Sequence, residues 1–375
     1  MLSSTAQFKP SESPLQLQPF SSANCLEITD GVSRPIFGIT EGVAGLLVDI
    51  AYIPVFFVMI EKENFKMSCY KIMTVLAVVD FFSIIVDCII TGWLTYEGAV
   101  FCTHPEVIHF SGMTGEALWC TSCVLAVMLI INRLLDLTSP RARIFFFEGN
   151  RTYLFILVAI IYGLYFFFCN TPTAFTSKFH TWFFDPMIFE GKAMEYENFP
   201  ILINNFSVVF LTCSLYVLFC IALRSKLKNT TGSESKKAVS WGYCSRLQSV
   251  LKIILVNRVE TGRLKTKKEL KSIPKCRSSM SSMQVFFQSV MICAVNLNVS
   301  VIYVIMNYIE VPPWLIIIGQ LSWQLGNAAP VFIYLKFNKT IRNGVLKKLG
   351  MRVSFVESKS RAKNVSVFRK STVTK

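Results

Sequence analysis

Seven runs of roughly 20 predominantly apolar residues, none interrupted by lysine or arginine, constrain this chain more than any other feature. They cover about residues 39–60, 72–94, 107–131, 152–170, 201–223, 284–309 and 314–335. As helices rising about 1.5 Å per residue, each is long enough to cross a hydrocarbon core of about 30 Å. Backbone polar groups placed in hydrocarbon must be satisfied within the segment, and for runs of this length that means a helix. The expected fold class is therefore all-α membrane, a seven-transmembrane helix bundle. The third run reads as the least apolar, because Glu116 and several Ser, Thr and Gly residues dilute it. With 53% hydrophobic and only 16% charged residues, the chain is neither intrinsically disordered nor a secreted disulfide mini-domain.

Charge orients the bundle. The formal net charge is +15, yet 34 of the 38 basic residues fall in one set of alternate loops and 4 in the other. The positive-inside tendency then puts the amino terminus outside and the carboxyl tail in the cytosol. The basic excess is thus a topology signal, which disfavours nucleic acid as a partner and names the lipid bilayer instead. The domain plan is an extracellular segment 1–38, a transmembrane domain 39–335 with a long cytosolic loop 224–283, an interfacial helix 336–350 and a disordered tail 351–375. Phe337, Ile341, Val345 and Leu349 recur every four residues beside Lys and Arg, the pattern of an interfacial helix. Residues 1–34 are polar and lack the apolar core of a cleavable signal peptide. No N-x-S/T sequon falls in an outward segment, so no N-glycosylation is expected.

Within the apolar runs four acids stand out: Asp49, Asp80, Asp87 and Glu116. A charge at the centre of a spanning helix costs on the order of 2.5–3.5 kcal/mol, so each needs a partner or a function. No base lies in the runs to supply one. Asp80 and Asp87 are seven residues apart and share a helix face. Glu116 precedes Arg133 by about 25 Å of helix, which puts it in the outer half of the bilayer. Buried carboxyls that specify packing, or a proton or sodium path, would both fit. No internal repeat of the transporter kind is visible.

Several short segments carry a resemblance. Leu76-Ala77-Val78-Val79-Asp80 resembles the second-helix LAxxD of rhodopsin-like receptors, and Asn327-Ala328-Ala329-Pro330-Val331-Phe332-Ile333-Tyr334 their seventh-helix NPxxY with altered spacing. Asn132-Arg133 stands where they carry DRY. More specifically, Cys69-Tyr70-Lys71-Ile72-Met73, Phe101-Cys102 with Pro105, Leu118-Trp119-Cys120, Asn132-Arg133, Phe183-Phe184-Asp185-Pro186 and Asn204-Asn205 resemble the nematode serpentine chemoreceptors of class T. The similarity covers about residues 20–228 and 278–350. It implies a rhodopsin-like seven-helix receptor that binds a small environmental chemical and activates a heterotrimeric G protein. It places G-protein coupling at Asn132 and Arg133, and a sodium pocket or one buried hydrogen bond at Asp80 and Asn327. The sequence departs from the rhodopsin-like pattern in two ways. Asn132 replaces the acid that would pair with Arg133, and the run 284–309 has neither the Trp nor the Pro of the sixth-helix toggle.

Ligand candidates in the outer half are Glu116, Trp119, Asn205 and Trp323. The loop 171–200 contains no Cys, so the usual disulfide to the third helix cannot form. Cys25–Cys102 is the favoured bridge because both lie on the oxidising side, with Cys102–Cys169 left open. Cys102, His104 and His109 offer three metal ligands without a fourth, so no metal is expected, and no cofactor. The three His lie near the outer face without a nucleophile or phosphate-loop context, which argues against an enzyme. Between spans five and six, Val239–Cys276 reads as an insert in a short Ser/Lys loop, and the Leu247, Val250, Leu251, Ile254 stripe within it as a basic amphipathic helix. The rival to a receptor is an ion channel or cation-coupled transporter built on the intramembrane acids.

Overall fold

In a computed structural model of the chain, the described residues are 30–185, 196, 198–230, 273–308 and 312–351. Seven long helices dominate them: Pro35–Met59, Ser68–Glu97, Pro105–Thr138, Arg151–Cys169, Phe199–Thr230, Ile273–Tyr308 and Pro313–Phe337. All seven are long and apolar enough to cross a membrane. The least apolar is the seventh, not the third as expected, because Gln320, Gln324 and Asn327 enter its buried face. The ends from which the first, third and seventh helices begin form one face of the bundle, here the amino face; the carboxy face is opposite.

The expected boundaries move outward at several ends. The third helix continues to Thr138 and so carries Arg133 and Asp136 on regular helix. The fifth runs to Thr230 and the sixth starts at Ile273, so part of the expected loop 224–283 is helical. Residues 231–272, with the proposed stripe, lie outside the described residues, as do 1–29 and the tail from 352. Two features were not expected. A short helix, Pro140–Phe147, follows the third on the carboxy face, and an antiparallel hairpin, Ala174–Thr176 with Thr181–Phe183, covers the amino face.

The second helix is not uniform. Its α-helix Ser68–Ile84 passes into a π-helical turn, Ile85–Ile90, and resumes as α-helix at Thr91–Glu97. A π turn widens the helix by one residue and re-aims side chains, and Asp87 sits in it. The helix then stops at Gly98, whose φ of 73° is the left-handed conformation that ends helices at little cost to glycine. Pro54 and Pro330 lie inside their helices.

First and second helices touch backbone to backbone. A Cβ at Gly38 would lie 2.4 Å from the Gly92 carbonyl oxygen, and one at Gly92 would lie 2.6 Å from the Gly38 oxygen. Small residues at such crossings are how membrane helices gain packing contacts without a hydrophobic drive. Apolar side chains gather in two clusters, one toward the carboxy face around Tyr52, Ile72, Leu76, Leu125 and Tyr334, and one toward the amino face around Trp119, Phe166, Phe175 and Trp323. Leu47, Leu154, Phe168, Phe210 and Leu325 point outward and exposed. In water that surface would drive association; in a bilayer it meets acyl chains.

The helix expected after the seventh span runs over Lys339–Lys348, shorter than the expected 336–350. Its Asn338 cap accepts from the Thr340 and Ile341 amides at 3.1 and 3.2 Å. Of the expected stripe, Ile341 and Val345 are buried against the bundle while Leu349 is exposed. Gly344 lies against Val58 of the first helix, and Lys348 pairs with Glu61 at 3.2 Å. Asn338→Ala is expected to cost about 1 kcal/mol of local stability, read as faster hydrogen exchange at Thr340 and Ile341; unchanged exchange there would remove the cap's role.

Candidate functional site

Glu116 and Trp119 are three residues apart on the third helix and therefore face the same way. Both open onto a cavity of about 180 Å³ near the amino face. Asn205 reaches it from the fifth helix, Val299, Tyr303 and Met306 from the sixth, and Trp323 from the seventh. The hairpin roofs it with Trp182, Phe183 and Phe184. All four expected ligand contacts thus line one space, although residues 116 and 323 are far apart in the chain.

Hydrogen bonds fix its walls. Trp119 Nε1 donates to Asn205 Oδ1 at 3.1 Å, and Asn204 donates to the same oxygen at 3.3 Å. The Tyr162 hydroxyl reaches Asn204 Oδ1 at 3.2 Å. Glu116 Oε2 accepts from Asn170 at 3.1 Å, whereas its Oε1, buried, has no hydrogen-bond partner. Above, Trp182 Nε1 donates to Thr91 Oγ1 at 2.9 Å, which ties the roof to the second helix. Gly112 lets the Thr173 backbone press onto the third helix, where a Cβ would stand 1.9 Å from the Thr173 oxygen.

Beside the cavity a polar tier joins the first, second and seventh helices. The expected Asp80–Asn327 side-chain pair is not formed. Asn327 Nδ2 donates instead to Asp87 Oδ2 at 2.6 Å, because the π turn carries Asp87 toward the seventh helix. Asp80 Oδ2 lies 3.1 Å from the Tyr52 hydroxyl, which is also 2.8 Å from the Asn327 carbonyl oxygen. A tyrosine and a backbone carbonyl therefore link the two residues expected to hold sodium. Among the described residues no three His, Cys, Asp or Glu side chains are grouped to hold a metal.

The sequence reading missed a fifth acid, Glu41, only two residues inside the first expected run. It is buried and accepts a hydrogen bond from Gln324. His180, at the hairpin turn, points down to it: Nε2 stands 3.4 Å from Glu41 Oε2, within ion-pair range but without hydrogen-bond angles. His180 Nδ1 is 2.9 Å from Thr95 Oγ1, and the ring meets Phe37 edge-on at 4.5 Å. Its φ of 54° is unusual for a residue with a Cβ, and such conformations persist only where surrounding contacts enforce them. Arg34 donates to the Ser177 and Lys178 carbonyls, so the chain entering the first helix also clamps the hairpin. Periodicity carries no sign of these long-range contacts; only the unexplained His could have drawn attention.

On the carboxy face Asn132 is buried and donates to Ser68 Oγ at 2.9 Å. Arg133 lies 3.7 Å from Asp136, and Arg143 of the short helix reaches the same carboxylate at 3.1 Å. The acid missing before Arg133 is thus supplied three residues after it, on the same helix face. Cys102 is disulfide-bonded and Cys169 is a free thiol, so the Cys102–Cys169 alternative is not formed. Cys25 lies outside the described residues.

A sequence model described as serpentine type 7TM GPCR chemoreceptor Srt matches residues 16–242 and 248–358. The chain belongs to this family. Serpentine receptor class T-55 of Caenorhabditis elegans is 21% identical to it over 322 residues, 85% of this chain and 76% of the relative. The crystal structure of squid rhodopsin superposes with a TM-score of 0.55 at 11% identity, covering 92% of this chain and 94% of that one. At that identity the likeness shows the fold alone, a rhodopsin-like seven-transmembrane bundle. As a class T serpentine chemoreceptor the chain is an integral membrane protein, in a family of receptors rather than enzymes.

Proposed function

We propose that this chain is a chemosensory receptor of the plasma membrane, its amino terminus extracellular and its carboxyl tail cytosolic. A small environmental chemical enters the cavity of Glu116, Trp119, Asn205 and Trp323, and a heterotrimeric G protein engages around Asn132 and Arg133. The observation that carries this reading is the convergence of four side chains from three helices on one largely aromatic cavity. Such cavities, with a few placed polar groups, are what small-molecule sites look like. Ligand and G protein then favour the same arrangement of the bundle, and each strengthens binding of the other. We assign the Cys102 bridge to Cys25, which staples the amino-terminal segment over the bundle.

The test is a volatile and metabolite panel applied to cells expressing the full chain, with a G-protein readout. Met306→Trp, which fills the cavity from the sixth helix, is expected to abolish the response at unchanged surface level. A response that survives it at full potency would move the ligand site elsewhere.

A further inference from the structure

The walls of the cavity say more than that a small molecule fits. Among the described residues six aromatic rings line it, from Trp119, Trp182, Phe183, Phe184, Tyr303 and Trp323, and no Lys, Arg or His does. The one carboxyl among the described lining residues, Glu116, is 6% exposed. Asn170 donates to Oε2 and the Thr173 backbone amide also bears on the carboxyl, yet Oε1 makes no hydrogen bond of normal distance and angle. A buried carboxylate oxygen left unserved is costly unless something donates to it. Aromatic faces around such an oxygen attract a cation, which can donate to it. The volume sets the size: an apolar cavity of about 150 Å³ takes up benzene, so about 180 Å³ admits a molecule only slightly larger.

We propose that the cavity selects a small protonated amine, about the size of an arylalkylamine. The ammonium donates to Glu116 Oε1 while its carbon skeleton lies among Trp119, Trp323 and the hairpin aromatics. Carboxylic acids are excluded by repulsion with Glu116, and neutral alcohols lose the charge-assisted bond. This rests on the cavity being the ligand site, and the experiment separates the two claims.

The purified full-length chain in detergent is heated with phenethylamine, 2-phenylethanol or phenylacetic acid, and binding is read as a shift in Tm. Phenethylamine alone is expected to raise it. Glu116→Gln keeps an acceptor for Asn170 and removes the charge, and it is expected to weaken amine binding about 10- to 100-fold. Glu116→Asp, which keeps the charge, is expected to retain the preference for amine over alcohol. Equal stabilisation by amine and alcohol, amine binding unchanged by Glu116→Gln, or no stabilisation by any of the three would each overturn the amine assignment. Activation of G protein in cells by neutral volatiles only would overturn it while leaving the receptor reading intact. Amine binding with no G-protein response to the amine would do the reverse.

Discussion

Gly38→Leu is expected to remove the chain from the cell surface almost completely, while Gly42→Leu, one turn away, leaves surface display near the wild-type level. A Cβ at Gly38 would sit 2.4 Å from the Gly92 oxygen and 2.8 Å from the Tyr96 nitrogen, whereas one at Gly42 meets nothing within 4 Å. The atoms in the way at Gly38 are backbone, so no rotamer change makes room. Overpacking a well-packed site costs about 1–3 kcal/mol when side chains can adjust, and this contact lies beyond that range. Against a total stability of about 5–15 kcal/mol, the loss is severe. Separating the two helices also draws Glu41 away from His180 and Gln324, which loosens the hairpin over the cavity. Surface labelling of a tagged chain measures the outcome. Equal display of the two variants would show that the first and second helices do not need this approach.

Arg133→Ala is expected to reduce ligand-driven G-protein signalling to background at normal surface level, and Asp136→Asn to raise signalling without ligand. In the structure Asp136 holds both Arg133, at 3.7 Å, and Arg143, at 3.1 Å. This ties the end of the third helix to the short helix beyond it. Asp136 is about one-third exposed, so each pair contributes at most about 1 kcal/mol. Releasing Arg133 therefore shifts the balance toward the signalling arrangement by no more than about fivefold, a visible rise in basal output rather than full activation. Normal signalling by Arg133→Ala would remove the coupling role assigned to it. Unchanged basal output in Asp136→Asn would mean that the ion pair does not restrain the resting arrangement.

What was legible in the sequence was whatever one helix can encode. Seven apolar runs without a base, and bases confined to alternate loops, required a spanning bundle. Short motifs at the right intervals pointed to the class T serpentine receptors, and the family comparison agrees. Glu116 and Trp119 could be placed together because helix periodicity relates residues three apart. Polar or aromatic residues in the outer halves of the fifth and seventh helices then made Asn205 and Trp323 reasonable companions. Helix ends were less legible, since the third, fifth and sixth helices continue past their apolar runs into sequence that meets water or loops.

The polar contacts were not legible in this way. Asp80 and Asp87 share a helix face by simple counting, but a π turn between them decides that Asp87, not Asp80, receives Asn327. Asp136 could be seen in the sequence, yet its role as the partner of Arg133 and Arg143 needs a short helix that periodicity did not announce. Glu41 and His180 are separated by more than a third of the chain and meet only because the hairpin folds back between the first and second helices.

The sequence by itself determined the number of spans, the family and the helical face on which Glu116 and Trp119 stand, because apolar length, charge placement and helix period are local properties. The tertiary structure alone decided which acid meets which amide, that the hairpin brings aromatic side chains to the cavity, and that one buried oxygen of Glu116 has no hydrogen-bond partner. Those outcomes depend on how closely helices approach, as at Gly38 and Gly92, and on one extra residue in a helical turn. Neither quantity is carried by the spacing of residues along the chain.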